Sequence, residues 1–135
     1  MELQGVNVLT LLYISFGDVS DKSIDPKEWQ AITTSIYRWT PNEDRKVIDG
    51  IMQDVKDFYF QLTNYDDLIS TLHNSIDKVK LVIPEKEKLK VVFEDLITIA
   101  KAKGVLRTDA VEILDMCARS WELKSYFSDD DEDEV

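Results

Sequence analysis

Apolar residues recur at three- and four-residue intervals along most of this chain, the spacing that gathers them on one face of an α-helix. Val47, Ile48, Ile51, Met52, Val55, Phe58, Tyr59 and Leu62 form one such stripe, and Leu68, Ile69, Leu72, Ile76, Val79 and Ile83 form a second. Leu89, Val92, Phe93, Leu96, Ile97 and Ala100 give a third, Val111, Leu114, Cys117, Ala118 and Trp121 a fourth, and Trp29, Ile32 and Ile36 a shorter one. Segment 6–16 breaks this rule. Val6, Val8, Leu9, Leu11, Leu12, Tyr13, Ile14 and Phe16 make it apolar on nearly every side, so it is expected to run through the centre of a bundle. A membrane span needs about 20 such residues. This run is too short for that and lacks the charge and cleavage pattern of a signal peptide, so it reads as a buried helix.

Helix ends carry a chemistry of their own. Asp25 before Pro26 offers a cap followed by a proline at the first helical position, and Thr40-Pro41-Asn42-Glu43 reads as a capping box. Pro84 restarts the chain after Ile83, and Thr108 reads as the cap of the last helix. These signals predict helices over 5–20, 26–39, 41–62, 65–83, 84–103 and 108–124, with no strand. The expected fold is all-α: a single compact bundle of about six helices, spanning 1–127, followed by an acidic disordered tail over 128–135.

An internal two-fold repeat emerges at an offset of 82 residues. It sets Ser20 to Asp25 on Ala102 to Arg107, Trp29 on Val111, Ile32 on Leu114, Ile36 on Ala118 and Trp39 on Trp121. Upstream, Leu11 falls on Phe93 and Ile14 on Leu96. Two copies are too few for a solenoid. They suit two helix–loop–helix units packed around each other.

Composition narrows the function classes. Only one cysteine and one histidine occur among 135 residues, so neither an internal disulfide nor a Cys/His zinc site forms within one chain, and a reducing, cytoplasmic setting is expected. The net charge is −11, and six of the 27 acidic residues lie in the last eight, leaving 21 acidic against 16 basic residues in the body. Such a charge repels phosphate backbones, so nucleic acid is not an expected partner.

The repeated loop supplies the one motif. The first copy reads Ser20-Asp21-Lys22-Ser23-Ile24-Asp25-Pro26-Lys27-Glu28, the second Ala102-Lys103-Gly104-Val105-Leu106-Arg107-Thr108-Asp109-Ala110. This arrangement resembles the TerB-like family, to which the tellurite-resistance protein TerB and the N-terminal domain of the cochaperone DjlA belong, with a signature near Ala-Asp-Gly-x-Ile/Leu-x-x-x-Glu. Asp21, Ile24 and Glu28 match it in the first copy, with Lys22 in place of glycine. Gly104 and Leu106 match in the second, where Lys103 and Ala110 replace the acids. The resemblance implies an all-helical bundle, and the family's paired acidic loops imply a metal site, of which this chain keeps one loop.

Read residue by residue, Asp18, Asp21, Asp25 and Glu28 are hard oxygen donors suited to Ca²⁺ or Mg²⁺, with Asp21, Asp25 and Glu28 the candidate ligands. The competing reading is structural: Asp25 caps the helix begun at Pro26, Glu28 faces the positive end of its dipole, and Asp21 binds nearby amides. No other cofactor is expected. His73 at the edge of an apolar stripe and Cys117 within one lack placed partners, and the four glycines are scattered, so no catalytic constellation or phosphate loop emerges. The tail acids Asp129, Asp130, Asp131, Glu132, Asp133 and Glu134 are candidate contacts for a basic partner. The expected function is a non-enzymatic protein-interaction module of TerB-like type, which the resemblance places in a bacterial stress or envelope-associated assembly. A divalent-cation binder using loop 18–28 is the alternative, and an enzyme of unknown reaction a third.

Overall fold

The computed structural model describes residues 2–21, 24–102, 104 and 108–123, with the side chains of Ser20 and Asp21 outside that description. Lys22, Lys103 and the acids Asp129 to Glu134 also lie outside the described residues. The described residues form six helices and no strand: α1 (Leu3–Asp21), α2 (Pro26–Trp39), α3 (Arg45–Tyr59), α4 (Tyr65–Val82), α5 (Lys86–Ala100) and α6 (Thr108–Ser120). No helix among them is long and apolar enough to cross a membrane.

Helix α1 is the axis of the bundle and touches all five others. Val6, Leu9, Leu12, Tyr13, Ile14 and Phe16 are wholly buried, and at 100° per residue they fall around most of its circumference. The partner helices each contribute one stripe, including Ile32 and Ile36 from α2, Ile48 and Met52 from α3, and Leu72, Ile76 and Val79 from α4. Phe93, Leu96 and Ile99 from α5 and Leu114 and Cys117 from α6 complete the core. On the surface, Arg45 stacks 3.7 Å from the Tyr37 ring centroid and Lys56 lies 4.3 Å from that of Trp29, tying α2 to α3.

Helix placement reproduces the 82-residue offset. α2 starts at Pro26 and α6 at Thr108, while Trp39 ends α2 and Trp121 follows α6. Ile32 and Ile36 are buried, as are their equivalents Leu114 and Ala118. The two tryptophans donate differently. Trp39 Nε1 reaches Asp95 Oδ2 at 2.9 Å, whereas Trp121 Nε1 reaches the Ile76 carbonyl at 2.8 Å.

Several helix ends depart from the sequence expectation. Thr40 closes α2 instead of opening α3: its hydroxyl donates to the Ile36 carbonyl at 3.0 Å and its amide to that of Tyr37 at 3.1 Å. With that oxygen committed to the preceding helix and Thr40 buried, residues 41–43 form a turn, and Asp44 caps α3 by accepting from the Lys46 amide at 2.8 Å. α3 ends at Tyr59 and not at 62, and α5 begins at Lys86, two residues beyond Pro84. Thr108 is the first residue of α6, which stops four residues short of the expected 124. A left-handed Glu122, with φ 59°, lets the Leu123 amide turn back to the Ala118 carbonyl at 2.7 Å while Leu123 is buried.

Candidate functional site

The acidic loop is built as a helix start. Asp25 Oδ1 accepts from the Glu28 amide at 2.8 Å, and Glu28 Oε1 accepts from the Asp25 amide at 3.2 Å, a reciprocal capping box ahead of Pro26. Glu28 is buried, and Ile24 folds over α1 where Gly17 has no side chain; a Cβ there would stand 2.7 Å from Ile24 Cδ1. Two of the motif residues, Ile24 and Glu28, thus hold the loop against α1. Asp18 accepts from the Tyr59 hydroxyl at 2.7 Å, linking α1 to α3, and the Asp21 side chain lies outside the described residues. Among the described residues no group of three or more His, Cys, Asp or Glu side chains is gathered to hold a metal ion.

A larger feature opens beside this loop. The C-terminal end of α1 and the N-terminal halves of α4 and α6 enclose a groove of about 650 Å³. Its apolar lining comes from Val19, Leu68, Ile69, Leu72, Ile113 and Met116, its polar lining from Asp18, His73, Asp109 and Glu112, with Tyr65 at its mouth. Leu72 and Ile113 belong to the core, but Val19, Leu68, Ile69 and Met116 are only half-buried and Tyr65 is 68% exposed. Phe60, also exposed, sets its ring edge-on against Tyr59, centroids 5.2 Å apart, and the Tyr59 hydroxyl ends on Asp18 in the groove. Burial, with the bond to Asp18 adding to it, raises the Tyr59 phenol far above its ordinary value, so it remains a donor. This volume falls in the range that ligand clefts occupy, and its mostly apolar lining suits side chains better than a polar small molecule.

Between α1, α2 and α5 a second polar constellation is sealed rather than open. Asp95 on α5 is 2% exposed and accepts three bonds: from the Tyr13 hydroxyl at 2.6 Å, Trp39 Nε1 at 2.9 Å and Arg38 Nη2 at 2.7 Å. Arg38 is 60% exposed and also reaches Ser35 Oγ at 3.2 Å. Burial, then the adjacent Asp95 charge, pushes the Tyr13 phenol well above its usual value. With both carboxylate oxygens committed, Asp95 works as a structural clamp between α1, α2 and α5.

Sequence reading singled out neither the groove nor the clamp. Asp95 looks like any polar residue on an amphipathic helix, yet the repeat offset carries it onto Tyr13, and that coincidence was the available signal. Along α6 the groove's residues are two acids, Asp109 and Glu112, followed by the apolar Ile113 and Met116, but the opening exists because no other described helix covers that face. His73 stands exposed on its rim. Cys117 is buried in the core, where desolvation drives its thiol pKa up and holds it protonated.

The described residues thus define the class of protein, an all-α bundle of six helices around a central apolar helix, with two helical units at a constant offset. No family model matches the chain, and no curated protein or solved structure matches it either. The TerB-like resemblance therefore rests on the two loop motifs and the helix order alone.

Proposed function

We propose that this chain is a non-enzymatic protein-interaction module of the TerB-like class, and that it receives its partner in the groove between α1, α4 and α6. One observation carries this reading. Four apolar side chains, Val19, Leu68, Ile69 and Met116, remain half-buried along one continuous cleft whose floor is core. A partner's side chains would complete their burial, each adding only the part still exposed of the about 1.5–3 kcal/mol that full burial of such a side chain is worth. A reducing cytoplasmic setting fits the lone buried thiol of Cys117. Nucleic acid is disfavoured as the partner by the net charge of −11.

The test is positional. A photo-crosslinking amino acid at Ile69 in the full chain, expressed in cells, should give a discrete protein adduct, and Met116→Glu in the same chain should abolish it. The same crosslinker at Asp54 on the exposed face of α3 should not give that adduct. Equal adducts at both positions, or turnover of a small molecule that a groove substitution abolishes, would overturn the proposal.

A further inference from the structure

The groove's charge is one-sided. Asp18 stands on the α1 wall and Asp109 and Glu112 on the α6 wall, while among the described residues no lysine or arginine lines it. Asp66 and Asp67 add exposed negative charge in the adjoining first turn of α4. The other clefts differ: the one at the far end carries Arg38 and Lys88 with Glu2 and Glu85, and the one between α2 and α5 carries Lys27 and Arg38. Asp109 lies in the first turn of its helix, where the dipole alone would favour an acid, but Glu112 lies beyond that turn and Asp18 is on another helix. Helix capping therefore does not account for the whole set.

Shape restricts the partner further. The groove runs along α6 from Asp109 to Met116 and along α4 from Tyr65 to His73, about 10–12 Å at 1.5 Å per residue, or two helical turns. All three walls are helices whose backbone groups are bonded internally, so an extended peptide would find no strand edge to pair with. A helix brings its own bonds satisfied. We infer that the groove binds a cationic amphipathic helix, with apolar residues one turn apart on its floor and Lys or Arg residues reaching Asp18 on one side and Asp109 and Glu112 on the other. Tyr65 at the mouth would cover the helix's apolar edge. The acidic tail, six negative charges over 128–135, would add long-range attraction for the same partner.

This inference rests on the proposed docking role of the groove, and the experiment separates the two. Three fluorescent amidated peptides of about 18 residues, long enough to form helix, share one leucine stripe and carry Lys, Gln or Glu elsewhere. Anisotropy titrations with the full chain should show the Lys peptide binding at least about tenfold more tightly than the Gln peptide, with the Glu peptide weakest. Asp109→Lys with Glu112→Lys should weaken the Lys peptide by about tenfold or more, whereas the same charge change at the exposed Asp54 and Glu94, outside the groove, should leave it within about twofold. Met116→Glu should abolish binding of every peptide, and Tyr65→Ala at an exposed position serves if that variant does not fold. Equal losses from the remote pair would mean diffuse charge attraction and overturn the inference. If the Gln peptide binds as tightly as the Lys peptide in a Tyr65-dependent way, the cationic requirement fails while the docking role stands. If none of the three binds, both fail.

Discussion

Tyr13 and Asp95, 82 residues apart and equivalent under the internal repeat, meet at the centre of the molecule, where the phenol donates to the carboxylate at 2.6 Å. One turn further on, the same correspondence holds in space: a Cβ on Gly17 would lie 3.7 Å from Cγ2 of its equivalent, Ile99. α1 and α5 therefore run in step along the line where the two halves touch. Removing the phenolic hydroxyl in Tyr13→Phe leaves a buried carboxylate short of one donor and should destabilise by about 1–3 kcal/mol. Arg38→Ala should cost less, about 1 kcal/mol, because its guanidinium is 60% exposed and water takes part of its place. Urea unfolding of the two variants and their double mutant measures the coupling; a Tyr13→Phe loss under about 0.5 kcal/mol would show the clamp to be unimportant.

Alkali should act through the same phenol. Burial and Asp95 raise the folded pKa of Tyr13, and burial and Asp18 raise that of Tyr59. The folded chain thus holds these protons after the unfolded chain begins to lose them near about pH 10. The stability they contribute is fully present below that pH and falls as pH rises towards the folded values, by about 1.4 kcal/mol per unit for each group. Stability measured between about pH 9 and pH 11.5 should decline, and the slope should be shallower in Tyr13→Phe and in Tyr59→Phe. An unchanged slope in both variants would assign alkaline unfolding to other groups.

Helix number and order were legible because each amphipathic helix writes its stripe locally, and the central place of α1 because its segment 6–16 is apolar on nearly every side. The start of α3 was not. Thr40 can serve the helix behind it or the one ahead, and only its burial against Ile36 decides. The clamp and the groove were illegible for a different reason: Asp95 acquires its meaning from Tyr13 and Arg38, and the groove from a face that no described helix covers. Both are properties of the assembled bundle. Asp25 and Glu28 were legible as a cap because their reciprocal bonds span three residues.

Two substitutions about 3 Å apart in height along α1 should move stability in opposite directions. Leu12 is wholly buried, and Leu12→Ala removes contacts that neighbouring helices cannot fully restore, at about 2–5 kcal/mol. Thr10 is equally buried, but its hydroxyl has no hydrogen-bond partner. Thr10→Val keeps the branched shape and deletes a desolvated polar atom, so it should stabilise by about 1 kcal/mol. Thermal and urea unfolding of both variants checks this. A destabilising Thr10→Val would mean that the hydroxyl is bonded in solution.

The acidic loop separates a cap from a cation ligand. In the structure Asp25 and Glu28 exchange bonds with each other's amides, so each carboxylate already satisfies a donor that the start of α2 leaves open. On that account Asp25→Ala costs about 0.5–2 kcal/mol, and the cost is the same in chelator as in Ca²⁺ or Mg²⁺. Were the loop instead a cation site in the native state, ligand at 100 times its dissociation constant would add about 2.7 kcal/mol to the unsubstituted chain, and Asp25→Ala would remove much of that gain. Melting curves of both proteins in chelator and at saturating Ca²⁺ or Mg²⁺ give the four values needed. The capping box predicts two parallel shifts and no interaction between substitution and cation; a gain confined to the unsubstituted chain would transfer Asp25 from the cap to a metal.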